Sequence, residues 1–157
     1  MQAWGAKRRE SYRGPLAATD IIIAYDHPER GEGIILIGRG FQPYGLALPG
    51  GFAEPGISLE ENALKEAREE TGLEVILHHP EHPLCVRSSP TRDPREHIMS
   101  IVYVGRGTGT IRAGDDAKSA RHYTIEEAAA VPMADYAFPD HHTSVHEFLS
   151  RYLKPEG

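Results

Sequence analysis

The chain has 157 residues, enough for one domain with a buried core. Hydrophobic residues make up 39%, charged residues 25%, and the formal net charge is −6, which argues against a sequence-independent nucleic-acid binder, since that needs a basic surface. The single cysteine, Cys85, excludes an intrachain disulfide and fits a reducing cytoplasm, and no apolar run is long enough for a membrane helix. A small anionic substrate stays compatible with the acidic balance, because a bound metal can supply local positive charge.

Residues 1–15 read as an irregular arm ending at Gly14-Pro15, with Trp4 and Tyr12 available to pack onto the body or a second subunit. Residues 16–157 read as one domain, with no repeat and no dividing linker. Ile21 to Tyr25 and Ile34 to Arg39 are isoleucine-rich, bounded by Asp, Pro and Gly, and predict two strands joined by the turn Asp26 to Gly31. Leu46-Ala47-Leu48 is a short extended piece before Pro49-Gly50-Gly51.

A helix follows. Ser58-Leu59-Glu60-Glu61 is a capping box at its start, and Gly72 stands where a C-terminal glycine cap belongs. At 100° per residue, Leu59, Ala63, Leu64 and Ala67 share one arc. Glu66, Glu69 and Glu70 flank that arc, while Glu61, Lys65 and Arg68 face away. Leu73 to His78, Leu84 to Arg87 and Ile98 to Val104 predict further strands. Between the last two lies the polar loop Ser88 to His97, rich in arginine and proline. Arg121-His122-Tyr123 is a short extended piece, and Thr124-Ile125-Glu126-Glu127 is a second capping box opening a helix that ends near Pro132. Ser144 to Leu153 closes the chain as an amphipathic helix with Val145, Phe148, Leu149 and Tyr152 facing in. Strands with helices between and after them point to a layered α/β domain.

The chemistry concentrates around Gly50 to Gly72. Magnesium takes oxygen ligands, usually one or two carboxylates plus substrate phosphates and water. Glu66 and Glu70, one helical turn apart, can share an ion, and Glu69 is close enough to join. The glycines at 50, 51 and 56 let backbone approach an ion or phosphates without a side chain in the way. The competing reading is a solvated acidic helix with an i, i+4 pair from Glu61 to Lys65.

Gly51 through Leu73 resembles the Nudix box, G-x5-E-x7-R-E-U-x-E-E-x-G-U with U aliphatic. Gly51, Glu66, Ala67, Glu69, Glu70, Gly72 and Leu73 fall in register. Two positions depart: Ile57 replaces the first glutamate, and Lys65 replaces the arginine that orients the adjacent Glu66. Lysine keeps the charge but loses the planar fork. Glu54 or Glu60 could stand in for the lost carboxylate, out of register. The resemblance implies an α/β/α sandwich with a mixed β-sheet. It implies a Mg²⁺ site, with Mn²⁺ able to substitute, built from Glu66, Glu70, Glu69 and Gly50. It also implies a catalytic set of Glu66, Glu69 and Asp116, the last in the acidic run Asp115-Asp116. Either Asp116 or Glu69 would serve as the base.

The loop Ser88 to His97 resembles that of ADP-ribose pyrophosphatase-like members, with Pro90 as their mark and Ser89 in place of their usual aspartate. It implies hydrolysis of ADP-ribose or a related sugar nucleotide to AMP and a sugar phosphate. Arg39, Arg92, Arg95 and Gly51 would contact the substrate, with Phe41 and Tyr44 as candidates for base stacking. Leu46 stands where the family commonly has a tryptophan. The alternatives are a non-catalytic nucleotide-binding sensor and a pyrophosphatase that cleans the triphosphate pool. The expected partner is a small nucleotide, with neither nucleic acid nor membrane, and the subgroup suggests a homodimer. Nine histidines invite a zinc reading, but His142 and His146 lack the H-E-x-x-H pattern and no cysteine pair exists.

Overall fold

Within a strand, three consecutive isoleucines alternate between the two faces, so all three are buried only where the sheet is covered on both sides. That is their setting in β1 (Leu16–His27), in the computed structural model, which describes residues 14–112 and 119–152. Ile22 and Ala24 point to one side of the sheet, where they meet Ile34, Leu36, Val102, Val145 and Phe148. Ile21, Ile23 and Tyr25 point to the other, where they meet Ile35, Tyr103, Ala63 and Ala67.

Seven more strands complete the sheet: β2 (Gly31–Gly38), β3 (Leu46–Ala47), β4 (Gly50–Phe52), β5 (Glu74–Leu77), β6 (Cys85–Arg87), β7 (Ile98–Thr108) and β8 (Ser119–Thr124). β1 is parallel to β7, from Leu16 opposite Ile98 to Ala24 opposite Arg106. Its other edge changes partner along its length. Ala18 to Asp20 pair antiparallel with β4, and Ala24 to His27 pair antiparallel with β2. β5 and β6 both pair antiparallel with β7, and β3 and β8 with β2.

Helix α1 (Leu59–Thr71) lies on one face of the sheet, with Leu59, Ala63, Leu64 and Ala67 in its core as the 3.6-residue period requires. Ser58 Oγ accepts from the Glu61 amide at 3.1 Å, and Gly72 ends the helix at φ 76°, a left-handed turn that glycine adopts without strain. On the opposite face sit α2 (Ile125–Ala130) and α3 (Pro139–Tyr152), linked through a 3₁₀ turn at Met133–Asp135. The second capping box is complete: Thr124 Oγ1 accepts from the Glu127 amide, and the Glu127 carboxylate accepts from the Thr124 amide. This is the expected mixed sheet between helical layers.

Boundaries differ in places. β1 continues past Tyr25 to His27, and β2 stops at Gly38, leaving Arg39 in the loop. α3 begins at Pro139, well before the expected Ser144. Proline suits a first helical position, where its missing N–H is no loss, and the polar first turn is held by tertiary contacts that periodicity does not register. Val145 and Phe148 face in, but Tyr152 is 39% exposed and stacks on Phe148 at 5.3 Å. Residues 1–13 of the expected arm, with Trp4 and Tyr12, and the Asp115-Asp116 run lie outside the described residues.

Candidate active site

One cleft of about 230 Å³ opens where β1 exchanges β4 for β2. Its walls come from five places: Glu66 and Glu70 of α1; Gly50, Gly51 and Phe52 of β4; Arg39 of one loop and Arg92, Asp93 and Arg95 of another; and Phe138 and His141 around the start of α3. Asp20 of β1 forms part of the floor.

The acidic wall is built locally. Glu70 is 8% exposed, and its Oε2 accepts from the Gly50 amide at 3.1 Å. A Cβ placed on Gly51 would stand 2.7–2.8 Å from the Glu66 carboxylate, so that position requires glycine if Glu66 is to keep its place. A Cβ on Gly50 would meet the Thr19 carbonyl at 2.2 Å. Asn62, fully buried, staples this turn to the helix. Its Nδ2 donates to Thr19 Oγ1 at 2.8 Å, and its Oδ1 accepts from the Glu54 amide at 3.2 Å.

Lys65 takes partners on the outer flank. Its Nζ lies 2.7 Å from Glu54 and 3.0 Å from Glu69, and these two carboxylates, Glu54 first, raise its proton affinity. Glu54, which stands out of register with the lost first glutamate, is thus engaged as a counter-ion to Lys65. Glu69, about half exposed, does not line the cleft.

The basic wall is built from a distance. Arg92, with a side chain 4% exposed, forks onto Asp140 of α3 through Nε at 2.6 Å and Nη2 at 2.9 Å. Arg95 forks onto Asp93 at 3.0 and 2.8 Å. Burial works against the charged form of Arg92, but Asp140 outweighs it and the net shift is upward; the Asp93 bonds likewise raise Arg95. Arg39 differs. Its Nε donates to the Pro43 carbonyl at 2.7 Å and its Nη2 to the Gln42 carbonyl at 3.3 Å, both neutral. Burial, then repulsion from Arg95, lower its proton affinity, a deficit that an anion would relieve. All three guanidinium groups surround the Phe138 ring, at 5.1 Å for Arg39, 5.5 Å for Arg92 and 5.7 Å for Arg95.

The floor is a buried carboxylate. Asp20 accepts from Ser100 Oγ, and His141 Nε2 lies 3.5 Å from the same oxygen. Burial pushes the Asp20 carboxyl up, but His141 and Ser100 together hold it below the usual carboxylate value.

Glu66, Glu70, Gly50, Gly51, Arg39, Arg92 and Arg95 therefore meet in one cleft, Glu69 sits on its outer flank, and Asp116 lies outside the described residues. Sequence reasoning missed Asp20, Asn62, Phe138, Asp140 and His141. Asp20 borders the isoleucine run and Asp140-His141 follow Phe138-Pro139, but nothing in local spacing connects them. Of the aromatic candidates, Phe41 lines the cleft and Tyr44 borders a neighbouring groove with Gln42, Pro43, Pro94 and Arg95. The His142 and His146 rings lie 4.2 Å apart, tilted by 33°.

Residues 15–152 match the NUDIX domain family. The chain belongs to that family. A protein of Methanocaldococcus jannaschii named ADP-ribose pyrophosphatase is 41% identical over 122 residues, 76% of this chain and 68% of its own length. Among solved structures, a MutT/nudix family protein of Enterococcus faecalis superposes with a TM-score of 0.74 at 24% identity, covering 98% of this chain and 69% of its own. The NUDIX domain of Shewanella oneidensis NrtR, crystallised with ADP ribose, superposes with a TM-score of 0.73 at 20% identity, covering 93% and 97%. At these identities the two structures carry the fold. The resemblance to Nudix hydrolases and the sandwich architecture are borne out, and so is a hydrolase of diphosphate bonds at the level of the family.

Nudix hydrolases use divalent metals, and the residues present fit one. Glu66 and Glu70 face the cleft from one helix side, and glycines at 50 and 51 keep side chains out of the space beside them. Among the described residues no three His, Cys, Asp or Glu side chains gather into a full cage. Two carboxylates completed by substrate oxygens and water is the arrangement magnesium favours. Among the described residues no helix is long and apolar enough to cross a membrane.

Proposed function

We propose that this Nudix chain hydrolyses the diphosphate bond of ADP-ribose or a related sugar nucleotide, giving AMP and a sugar phosphate, with Mg²⁺ held by Glu66 and Glu70. The observation that carries the reading is the meeting of those carboxylates with Arg39, whose hydrogen bonds among the described residues go to the neutral carbonyls of Pro43 and Gln42, across one cleft. The M. jannaschii relative named ADP-ribose pyrophosphatase supports the choice of substrate.

The division of labour follows from the contacts. A divalent ion, when bound, neutralises diphosphate charge and makes water a better nucleophile. Glu70 holds the Gly50 amide and so fixes the glycine strand against α1. Arg39 supplies positive charge to a phosphate, where a charge-assisted hydrogen bond is worth more than its present bonds to carbonyls. Arg92 and Arg95 shape the wall, their forks already filled by Asp140 and Asp93. Phe41 and Phe52, 48% and 46% exposed, offer flat apolar surface for the base at the mouth. Asp116 remains the proposed base, since Glu69 is turned to Lys65 on the outer flank and does not line the cleft.

The test couples hydrolysis to a phosphomonoesterase and follows phosphate release across a nucleotide panel with Mg²⁺. ADP-ribose should lead the panel. No turnover of any substrate, with a Glu70→Gln variant behaving as the parent does, would sink the proposal. A second reading, a nucleotide-binding sensor, is favoured by Lys65, whose charge is committed to Glu54 and Glu69. Calorimetry showing tight ADP-ribose binding without hydrolysis would select it.

A further inference from the structure

His141 is 1% exposed, and neither the carboxylates nor the arginines explain why a histidine should be buried there. Its Nδ1 accepts from the Leu48 amide at 3.1 Å. A neutral imidazole accepts only at its unprotonated nitrogen, so the proton sits on Nε2. Nε2 faces Asp20 Oδ2 at 3.5 Å, the oxygen to which Ser100 also donates.

Leu48 leads directly into the catalytic turn. The next residue, Pro49, has no N–H to offer, so the Leu48 amide is the last backbone donor before Gly50. The Pro49 carbonyl accepts from the Ile21 amide at 2.9 Å, and the Gly50 amide donates to Glu70 at 3.1 Å. Three successive residues are thus pinned, Leu48 by α3, Pro49 by β1 and Gly50 by α1. The α3 pin is the one supplied by a side chain 93 positions away in sequence.

We propose that His141 is a positioning residue: by accepting from Leu48 N–H while its Nε2–H faces Asp20, it sets where the Gly50 amide meets Glu70. The kinetic part of this inference rests on the hydrolase reading above; the structural part does not.

Two substitutions separate the roles of the ring nitrogens. Asparagine places an acceptor where Nδ1 stood, and glutamine places a donor where Nε2 stood. In the full chain, the His141→Asn variant should keep Leu48 amide exchange and kcat within about threefold of the parent, while His141→Gln should speed Leu48 and Gly50 exchange and lower kcat by about 10- to 100-fold, with KM moved less than about threefold. Equal behaviour of the two variants, or a kcat loss that merely follows a fall in Tm, would overturn the proposal. The parent protein gives an independent reading through the nitrogen-15 spectrum of its histidines: His141 should be the Nε2–H tautomer, and an Nδ1–H tautomer would overturn the proposal even if the glutamine variant failed to fold. Amide exchange and tautomer need no turnover. Absence of ADP-ribose hydrolysis with both intact would therefore count against the substrate reading alone.

Discussion

The two walls of the cleft are made by different means. The acidic wall is one helix turn and one glycine turn, assembled from residues between Gly50 and Glu70. The basic wall needs the 88–97 loop, the 39–45 loop and the start of α3 to arrive together, and its ion pairs join residues as far apart as Arg92 and Asp140. A wall made locally can be changed one residue at a time with a local effect. A wall gathered from several elements depends on the pair that ties them together: Arg92 is held by Asp140 of α3, while Arg95 and Arg39 take their partners within their own loops.

The largest effect is expected from neutralising the acidic wall. Glu66→Gln and Glu70→Gln should each lower kcat about 10²- to 10³-fold while Tm changes little, since charge that acts on the reacting phosphate is worth several kcal/mol. Next comes the basic wall. Arg92→Met strands the Asp140 carboxylate and should cost about 3 kcal/mol in chemical denaturation, the scale for breaking a buried ion pair. Arg39→Met, which strands no carboxylate, should leave the denaturation midpoint in place and raise KM for ADP-ribose about tenfold, the loss of one charge-assisted contact. If the two arginine variants behaved alike, the distinction between a structural and a substrate-facing arginine would fall.

Smaller effects probe regions away from the cleft. Burial, then His27 and Arg30, hold the His122 imidazole below the usual histidine value. The unfolded chain takes up that proton first, so stability should fall as pH drops through about 6.5 and level off below the folded value. A Tm series from pH 7.5 to 5.5 checks the sign, and His122→Gln should flatten the slope. The smallest effect is expected at Lys65→Met. Its partners are about half exposed, and solvent-screened pairs of this kind contribute little, so the melting curve should barely move.

The same contrast decides what could be read before the fold was known. Ser58, Gly72 and the Thr124 box mark helix ends through bonds spanning three or four residues, and each does so in the structure. Glu66 and Glu70 were legible because one helical turn brings them to one side. Asp140 and His141 were not, because their partners Arg92, Leu48 and Asp20 lie far away in the chain, and a polar first turn looks like solvent-facing sequence. Asn62 reads as an ordinary polar helix residue until Thr19 and the Glu54 amide close around it. Glu69, the middle glutamate of the three, is drawn aside by Lys65, a competition between neighbours that spacing leaves open.

The pairing of β1 with β7 also has a consequence in time. The box helix can form from its own short segment, but the strand beneath it finds its parallel partner only after the residues of β7 have been made, and α3 comes later still. Contacts of that sequence separation slow folding, because a long loop must close before they repay its entropy. During synthesis from the N-terminus, Asp20 and the glutamates are present early and the helix that carries His141 to them is not. The chain should acquire its enzymatic competence in one late step, when α3 docks and brings Phe138, Asp140 and His141 to a site whose carboxylates have been waiting since the first half was made.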